Sequence, residues 1–280
     1  MARRALFLCW VSLAAGCGGG APLLHPAHPL NVEEVTMGAG VSNQFVLGDG
    51  RDRIDEAKRV TAQQGGIARP EDETRFVEGA IAQVLTSPGL APWVGARAGV
   101  GFDSDAGVTF TGRSVRLDGR HAWQNRELAV SIGIGGSGLL LRDTTDGTQK
   151  TVPGLDASSV TGWGADVPIL IGWRSSASLF QVYGGVRGSY ERAFGTVKLG
   201  IYASPDDIRE ADLDASHWTA SALAGLAVGV SPLFVIVELG AGYTRGDGSI
   251  DIPSPTGNNH RVADLEAFTL APAGALVARF

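Results

Sequence analysis

The side chains able to do chemistry in this 280-residue chain fall into four groups. The first is a set of charges on the polar side of alternating stretches: Arg97, Arg113, Asp166, Arg187, Glu191 and Glu238, with Tyr183 among them. Side chains of a strand alternate between its two faces, so these charges share a side, and charges removed from water must be paired. They could form a salt-bridge network filling a narrow interior, a charged constriction selecting solutes, or an acid–base site if two carboxylates converge. The second group is five histidines, His25, His28, His121, His217 and His260. None has metal-ligand spacing to a nearby Asp, Glu or Cys, and only Ser216–His217 sets a hydroxyl beside an imidazole. The third is the acidic run Asp206, Asp207, Glu210, Asp212 and Asp214, with Arg209. It lacks EF-hand spacing and reads as a solvated loop. The fourth is Gly133-Ile134-Gly135-Gly136-Ser137-Gly138, superficially a phosphate loop. A dinucleotide fingerprint needs a helix next, whereas Leu139, Leu140 and Leu141 continue a strand. No nucleotide, metal or cofactor is expected.

The elements that must carry these residues are strands of unusual length. Between Trp163 and Trp173 every second residue is apolar: Ala165, Val167, Ile169 and Ile171 share a face with the two indoles. Ten residues at about 3.3 Å each span roughly 33 Å. Tilted by about 40°, they cover roughly 25 Å, the apolar height of a membrane-spanning β-barrel with an aromatic at each rim. The spacing recurs at Phe180/Tyr190 and Leu233/Tyr243. The aromatic belt expected on this pattern comprises Trp93, Phe102, Trp163, Trp173, Phe180, Tyr190, Trp218, Tyr243, Phe268 and Phe280.

The fold class expected is therefore all-β: an antiparallel up-and-down transmembrane barrel over 91–280 of about eight strands, with a short helical N-terminal segment. One strand of weak alternation is read from Gly107 into the low 120s. Residues 34–47 also alternate and would make nine strands, or ten if a further strand allows closure. Within 34–90, Pro70 with Glu71, Asp72 and Glu73 opens a helix whose stripe is Phe76, Val77, Ala80, Ile81 and Val84, stopped by Ser87-Pro88-Gly89. It could cap the barrel mouth, lie on the membrane or fill the lumen. Short links near 174–178 and 230–232, against long ones at 142–160, 196–214 and 247–263, set the long links outside the cell and the short turns in the periplasm.

Composition agrees. Charged residues are only 19% and hydrophobic residues 44%. The 40 glycines are dispersed, and in a narrow barrel they leave room for long lumen side chains. A net charge of −6 argues against nucleic acid as a partner. Past the N-terminus no run of eighteen apolar residues exists, so only a closed barrel could cross a bilayer. Arg3 and Arg4, then the apolar Ala5 to Leu13, form an export signal. Cys9 would leave with it, and the remaining Cys17 offers no disulfide framework.

Two resemblances follow. Leu13-Ala14-Ala15-Gly16-Cys17 resembles a bacterial lipobox, which implies a signal peptide over 1–17, lipidation at Cys17 and a flexible tether over 18–33. The alternating segments closed by Trp163, Trp173, Tyr190, Trp218, Tyr243 and Phe280 resemble the small outer-membrane barrels of the OmpA/OmpX/OmpW type. That resemblance implies outer-membrane lipid as surroundings and recognition of the terminal Phe280 by the barrel-assembly machinery. The function expected is a non-enzymatic envelope barrel, structural or binding partners through its extracellular loops. The alternatives are a narrow pore for small solutes, an envelope enzyme, or a lipid-tethered soluble β-barrel holding a small apolar ligand.

Overall fold

Alternation at period two decides which way each side chain of a strand points, and in this protein it points the apolar side outward. The computed structural model describes residues 20–62, 67–140, 152–176, 178–201, 208–253 and 259–280. Among these residues are ten strands: β1 (Val35–Leu47), β2 (Gly89–Gly101), β3 (Ser104–Phe110), β4 (Ser114–Gln124), β5 (Leu128–Leu140), β6 (Leu155–Arg174), β7 (Phe180–Gly200), β8 (Ile208–Val230), β9 (Leu233–Ile252) and β10 (Asn259–Arg279). Each pairs antiparallel with its sequence neighbours, and β1 closes the ring on β10. Stepping from pair to pair once around the ring carries Asp264 of β10 to Leu276 of the same strand, a stagger of 12 residues. Ten strands with that stagger tilt by about 40° and enclose a barrel of roughly 10 Å radius.

The strand count corrects one expectation. The stretch from Gly107 into the low 120s is not one strand but parts of two, β3 and β4, folded back through Thr111-Gly112-Arg113 with Gly112 at φ +74°. The turn shifts the phase by one residue. Val108 and Phe110 face out on β3, and Val115, Leu117 and Trp123 face out on β4. Read as a single strand, the two patterns blur each other. With β3 and β4 separated, residues 34–47 join as β1 and the ring closes at ten.

Ile169 is 44% exposed on the outer face, and Leu226 shares that face with the exposed Val228. Bulky side chains therefore turn away from the interior, which overturns the soluble barrel closed around an apolar ligand. Trp163–Tyr190, Trp218–Tyr243 and Tyr243–Phe268 pack ring to ring at 5.6, 5.7 and 5.2 Å along one rim, and Trp173–Phe180 at 6.1 Å along the other. Two belt assignments change. Trp93 is only 5% exposed and points into the lumen, because it shares the inward register of β2 with Ala91 and Arg97. Phe102 is fully exposed but sits in the β2–β3 turn, with φ +53°, rather than on a strand. Phe280 is exposed at the same end, where its backbone pairs with Val35.

Between β1 and β2 the chain forms two helices, α1 (Asp49–Ala62) and α2 (Glu73–Thr86), the second entered through a short turn at Pro70–Asp72 and ended by Ser87 in the left-handed region. A Cβ on Gly79 would collide with Ala57 Cβ and the Arg53 carbonyl, so glycine sets how closely the helices cross. Phe76, Val77, Ile81, Val84 and Leu85 pack with Ile54 and Val60 against Leu213, Ile250 and Leu265 of the barrel wall. The hairpin thus fills the mouth at the end bearing the long connections.

The segment read as a flexible tether, 18–33, is corrected from Gly20 onward. Residues 20–33 run down the lumen to the short-turn end and double back into β1. Leu23, Leu24 and Ala27 are buried against Trp93, Leu170, Tyr183 and Ile236. A proline-rich composition suited a free linker, yet it also suits an extended segment that cannot join a sheet.

Ile169→Arg sets a guanidinium on the lipid face midway between the two tryptophan rims. We expect a loss of about 2–4 kcal/mol in denaturant titrations of the barrel folded into vesicles, and little change for Ile169→Leu. Equal tolerance of both would contradict a hydrocarbon-facing exterior.

Candidate functional site

The lumen is where the sequence concentrates its ionisable groups, so the site is built from the inward positions of each strand. Asp105 on β3, Arg116, Asp118 and Arg120 on β4, Asp166 on β6, and Arg187 and Glu191 on β7 all occupy inward register, with Arg97 on β2 and Glu238 on β9. Glycines opposite them make the room. Gly135 lies under the Arg116 and Asp166 heads, and Gly225 under the Tyr183 ring, where in each case a Cβ would clash.

These groups form a continuous chain. Arg120 grips Asp105 with two parallel bonds, Nε–Oδ1 and Nη2–Oδ2, both 2.8 Å. Arg97 bridges Asp105 to Asp118, and Arg116 links Asp118 to Asp166. Arg116 holds Asp166 through Nε at 2.7 Å and Nη2 at 2.9 Å, and Arg187 donates to the same carboxylate at 3.1 Å. Planar guanidinium–carboxylate forks of this kind are strong and directional. A separate pair joins Arg113 to Glu191 at 3.0 Å, with His217 Nε2 3.7 Å from that carboxylate. Glu238 is held differently, by the backbone N–H groups of Leu23 and Leu24, each 2.9 Å away, and by the Tyr183 hydroxyl at 2.8 Å.

All six lumen charges expected from sequence point inward: Arg97, Arg113, Asp166, Arg187, Glu191 and Glu238. The reading missed Asp105, Arg116, Asp118 and Arg120. Their signal was present, since Ser114, Arg116, Asp118 and Arg120 recur at every second position, but it needed the 111–113 turn to set the phase. It also missed Leu23 and Leu24, which bring backbone donors to the site.

Other candidates disperse. Ser216 and His217 lie on opposite faces of β8, because neighbours on a strand cannot share a side. The glycine string 133–138 is plain strand within β5. Glu210, Asp212 and Asp214 stand on β8, where Asp214 pairs with Arg192 at 2.6 Å; Asp206, Asp207 and Cys17 lie outside the described residues. No group of three metal-ligating side chains occurs among the described residues.

The helical hairpin fills one end of the lumen, and residues 20–33 fill much of the rest, leaving a recess of about 740 Å³ at the short-turn mouth lined by Asn31, Arg174, Phe234 and Arg279. Between them lies a polar cavity of about 110 Å³ lined by Arg113, Ser189, Glu191, His217, Thr219 and Thr244, among others. At the short-turn rim, Glu34 accepts the Asn31 N–H at 2.8 Å and pairs with Arg279. Burial pushes the Glu34 carboxyl upward, but these two donors outweigh it and hold it below the usual carboxylate range. The arrangement can hold a chain segment rigidly in place.

No family model matches the chain, and no curated protein does. Solved structures similar to it include the major outer membrane protein of Thermus thermophilus, 11% identical over 88% of this chain and 99% of that one, with a TM-score of 0.33. OprG of Pseudomonas aeruginosa is 10% identical over 90% and 98%, TM-score 0.35. Ail of Yersinia pestis is 12% identical over 90% and 100%, TM-score 0.32.

Asp166 is buried and satisfies two guanidiniums, whereas Asp214 is exposed and satisfies one. Asp166→Ala is expected to cost about 3–5 kcal/mol by chemical denaturation in detergent. Asp214→Ala is expected to cost under about 1 kcal/mol. Similar costs for both would remove the lumen network as a determinant of stability. By its own strand order, apolar exterior and charged lumen, the chain is a membrane-spanning, antiparallel up-and-down β-barrel.

Proposed function

We propose that this protein is a closed, non-catalytic barrel of a bacterial outer membrane, acting as a structural element or by binding partners at the end with the long connections. The observation that carries this reading is the filled lumen. Among the described residues, a network of paired charges, the α1–α2 hairpin and residues 20–33 leave a recess of about 740 Å³ at the short-turn mouth and, inside, cavities of about 60 and 110 Å³ that share no lining residue.

The outer end has the form of a one-sided wall. Strands β7 and β8 run on for ten residues past Tyr190 and before Trp218, while β3 ends at Phe110 and β4 begins at Ser114. On the face of that wall, Arg192 pairs with Asp214 and Arg245 with Glu266, all well exposed. A tall polar wall beyond the aromatic belt suits a contact surface, and outer-membrane barrels place their longer connections outside the cell. Acylation at Cys17 would add a second hold on the membrane once residues 20–33 leave the lumen, since Gly20, three residues on, is buried there beside Ser42. Recognition of Phe280 by the assembly machinery belongs to the same proposal, and Phe280→Ala should slow appearance of the heat-modifiable folded band in pulse-labelled cells.

The central test is electrical. Purified full-length protein in planar bilayers should give no unitary current steps. Regular steps in the unaltered protein, changed in size by Arg187→Ala, would replace this reading with that of a narrow pore.

A further inference from the structure

The lumen segment is held in an unusual way. Seven backbone groups between Gly20 and Leu30 are bonded by side chains of the barrel wall. Ser42 donates to the Gly20 carbonyl at 3.3 Å and Arg187 to that of Ala21. Glu238 receives the consecutive N–H groups of Leu23 and Leu24. Arg120 donates to the carbonyls of Pro26 and, at 3.0 Å, His28, and Asp105 accepts the N–H of Leu30 at 3.1 Å. Arg120 also touches the His25 ring, its Nη1 2.9 Å from Nδ1.

Apart from the Arg120–His25 contact, nothing in this set requires a particular side chain on the segment beyond apolar character. Leu23, Leu24 and Ala27 rest on Trp93, Leu170, Ala227 and Ile236, a broad apolar lining rather than shaped pockets. Among the described residues the segment makes no backbone ladder with any strand. Pro22, Pro26 and Pro29 withhold the donors a ladder would need, so it cannot become an eleventh strand. It lies in the barrel as a ligand lies in a site. The binding groups are wall side chains already braced by one another: Asp105 by Arg97, Arg187 by Asp166, and Glu238 by Tyr183. The site is blind at one end, where the helical hairpin closes it, and a cavity of about 60 Å³ flanks the segment at the other, lined by His28, Arg174, Gln181 and Phe234.

We propose that the lumen is a binding site for an extended, apolar polypeptide segment read through its backbone, occupied in this structure by the chain's own residues 20–30. An extended peptide supplied from the short-turn face can take the same place when that segment leaves. The assignment goes beyond the closed-barrel reading and is tested without measuring conductance.

The test compares the full-length parent with two full-length variants that alter only the segment. Ala27→Glu sets a carboxylate at a position fully buried among apolar groups. The second, Leu23→Pro with Leu24→Pro, removes both backbone donors to Glu238. The probe is a fluorescein-labelled peptide with the sequence of residues 20–31. In the parent, the Leu23 and Leu24 amides should exchange slowly with deuterium and the peptide should bind weakly. In both variants, the amides remaining in 20–31 should exchange at least tenfold faster, and the peptide should bind at least tenfold more tightly. A peptide of scrambled order that keeps the three prolines and the histidine at position 25 in place should bind within about threefold of the first. One N-methylated at the positions of Leu23 and Leu24 should lose at least tenfold. Variants that fold, by heat-modifiable migration, yet keep the segment protected or fail to take up the peptide would overturn the proposal. Binding of the native order alone would overturn its backbone-reading element.

Discussion

In hydrocarbon, a peptide N–H or C=O without a partner costs several kcal/mol, and the whole molecule answers to that constraint. Ten strands close on themselves so that no edge is left, with β1 and β10 sealing the ring. Closure at ten strands with a 12-residue stagger then dictates a lumen too wide for aliphatic side chains alone to fill. The exterior must be apolar and the interior is free to be polar, the reverse of a soluble barrel. Ile169 outside and Asp166 inside, three residues apart on β6, show both halves of that bargain with the solvent.

The chain fills its lumen by two different physical means. At the wide mouth the α1–α2 hairpin supplies an apolar core, with Phe76, Ile81 and Leu85 packed on Leu213, Ile250 and Leu265. Nearer the other end the wall is charged, and the filler is an extended segment whose backbone meets arginines and carboxylates. Helices suit the first place because their backbone is already satisfied and they present side chains only. An extended segment suits the second because its open amides and carbonyls match wall charges that themselves need partners. Tyr183 connects the two regimes, with its ring in the apolar lining and its hydroxyl on Glu238.

The lumen network also explains some of the strand glycines. Large lumen side chains lie over a neighbouring strand only where its residue is small, as at Gly135 beneath Arg116 and Asp166 and at Gly225 beneath Tyr183. Glycine in strands weakens them in general, but at Gly135 and Gly225 the missing side chain is replaced by a large polar group from the neighbouring strand.

Much was legible from sequence because period-two alternation is a local property. The outward register of β6 to β10, the inward direction of the six charges and the α2 helix with its Pro70 entry all follow from neighbours within a few residues. Three things did not follow. Phase across the 111–113 turn hid three lumen charges, Arg116, Asp118 and Arg120, because a one-residue shift reverses every later side chain. Trp93 looked like a rim aromatic, because aromatic character is the same on either face and only pairing with β1 and β3 sets the register. The 20–33 segment looked like a tether, because proline-rich composition specifies extension without saying what lies beside it. The order of residues by itself therefore determined that long strands with an apolar side would form, and which charges would share the other side. Only the closed ring decided where the chain's non-strand portions go, because a lumen exists only once β1 has met β10.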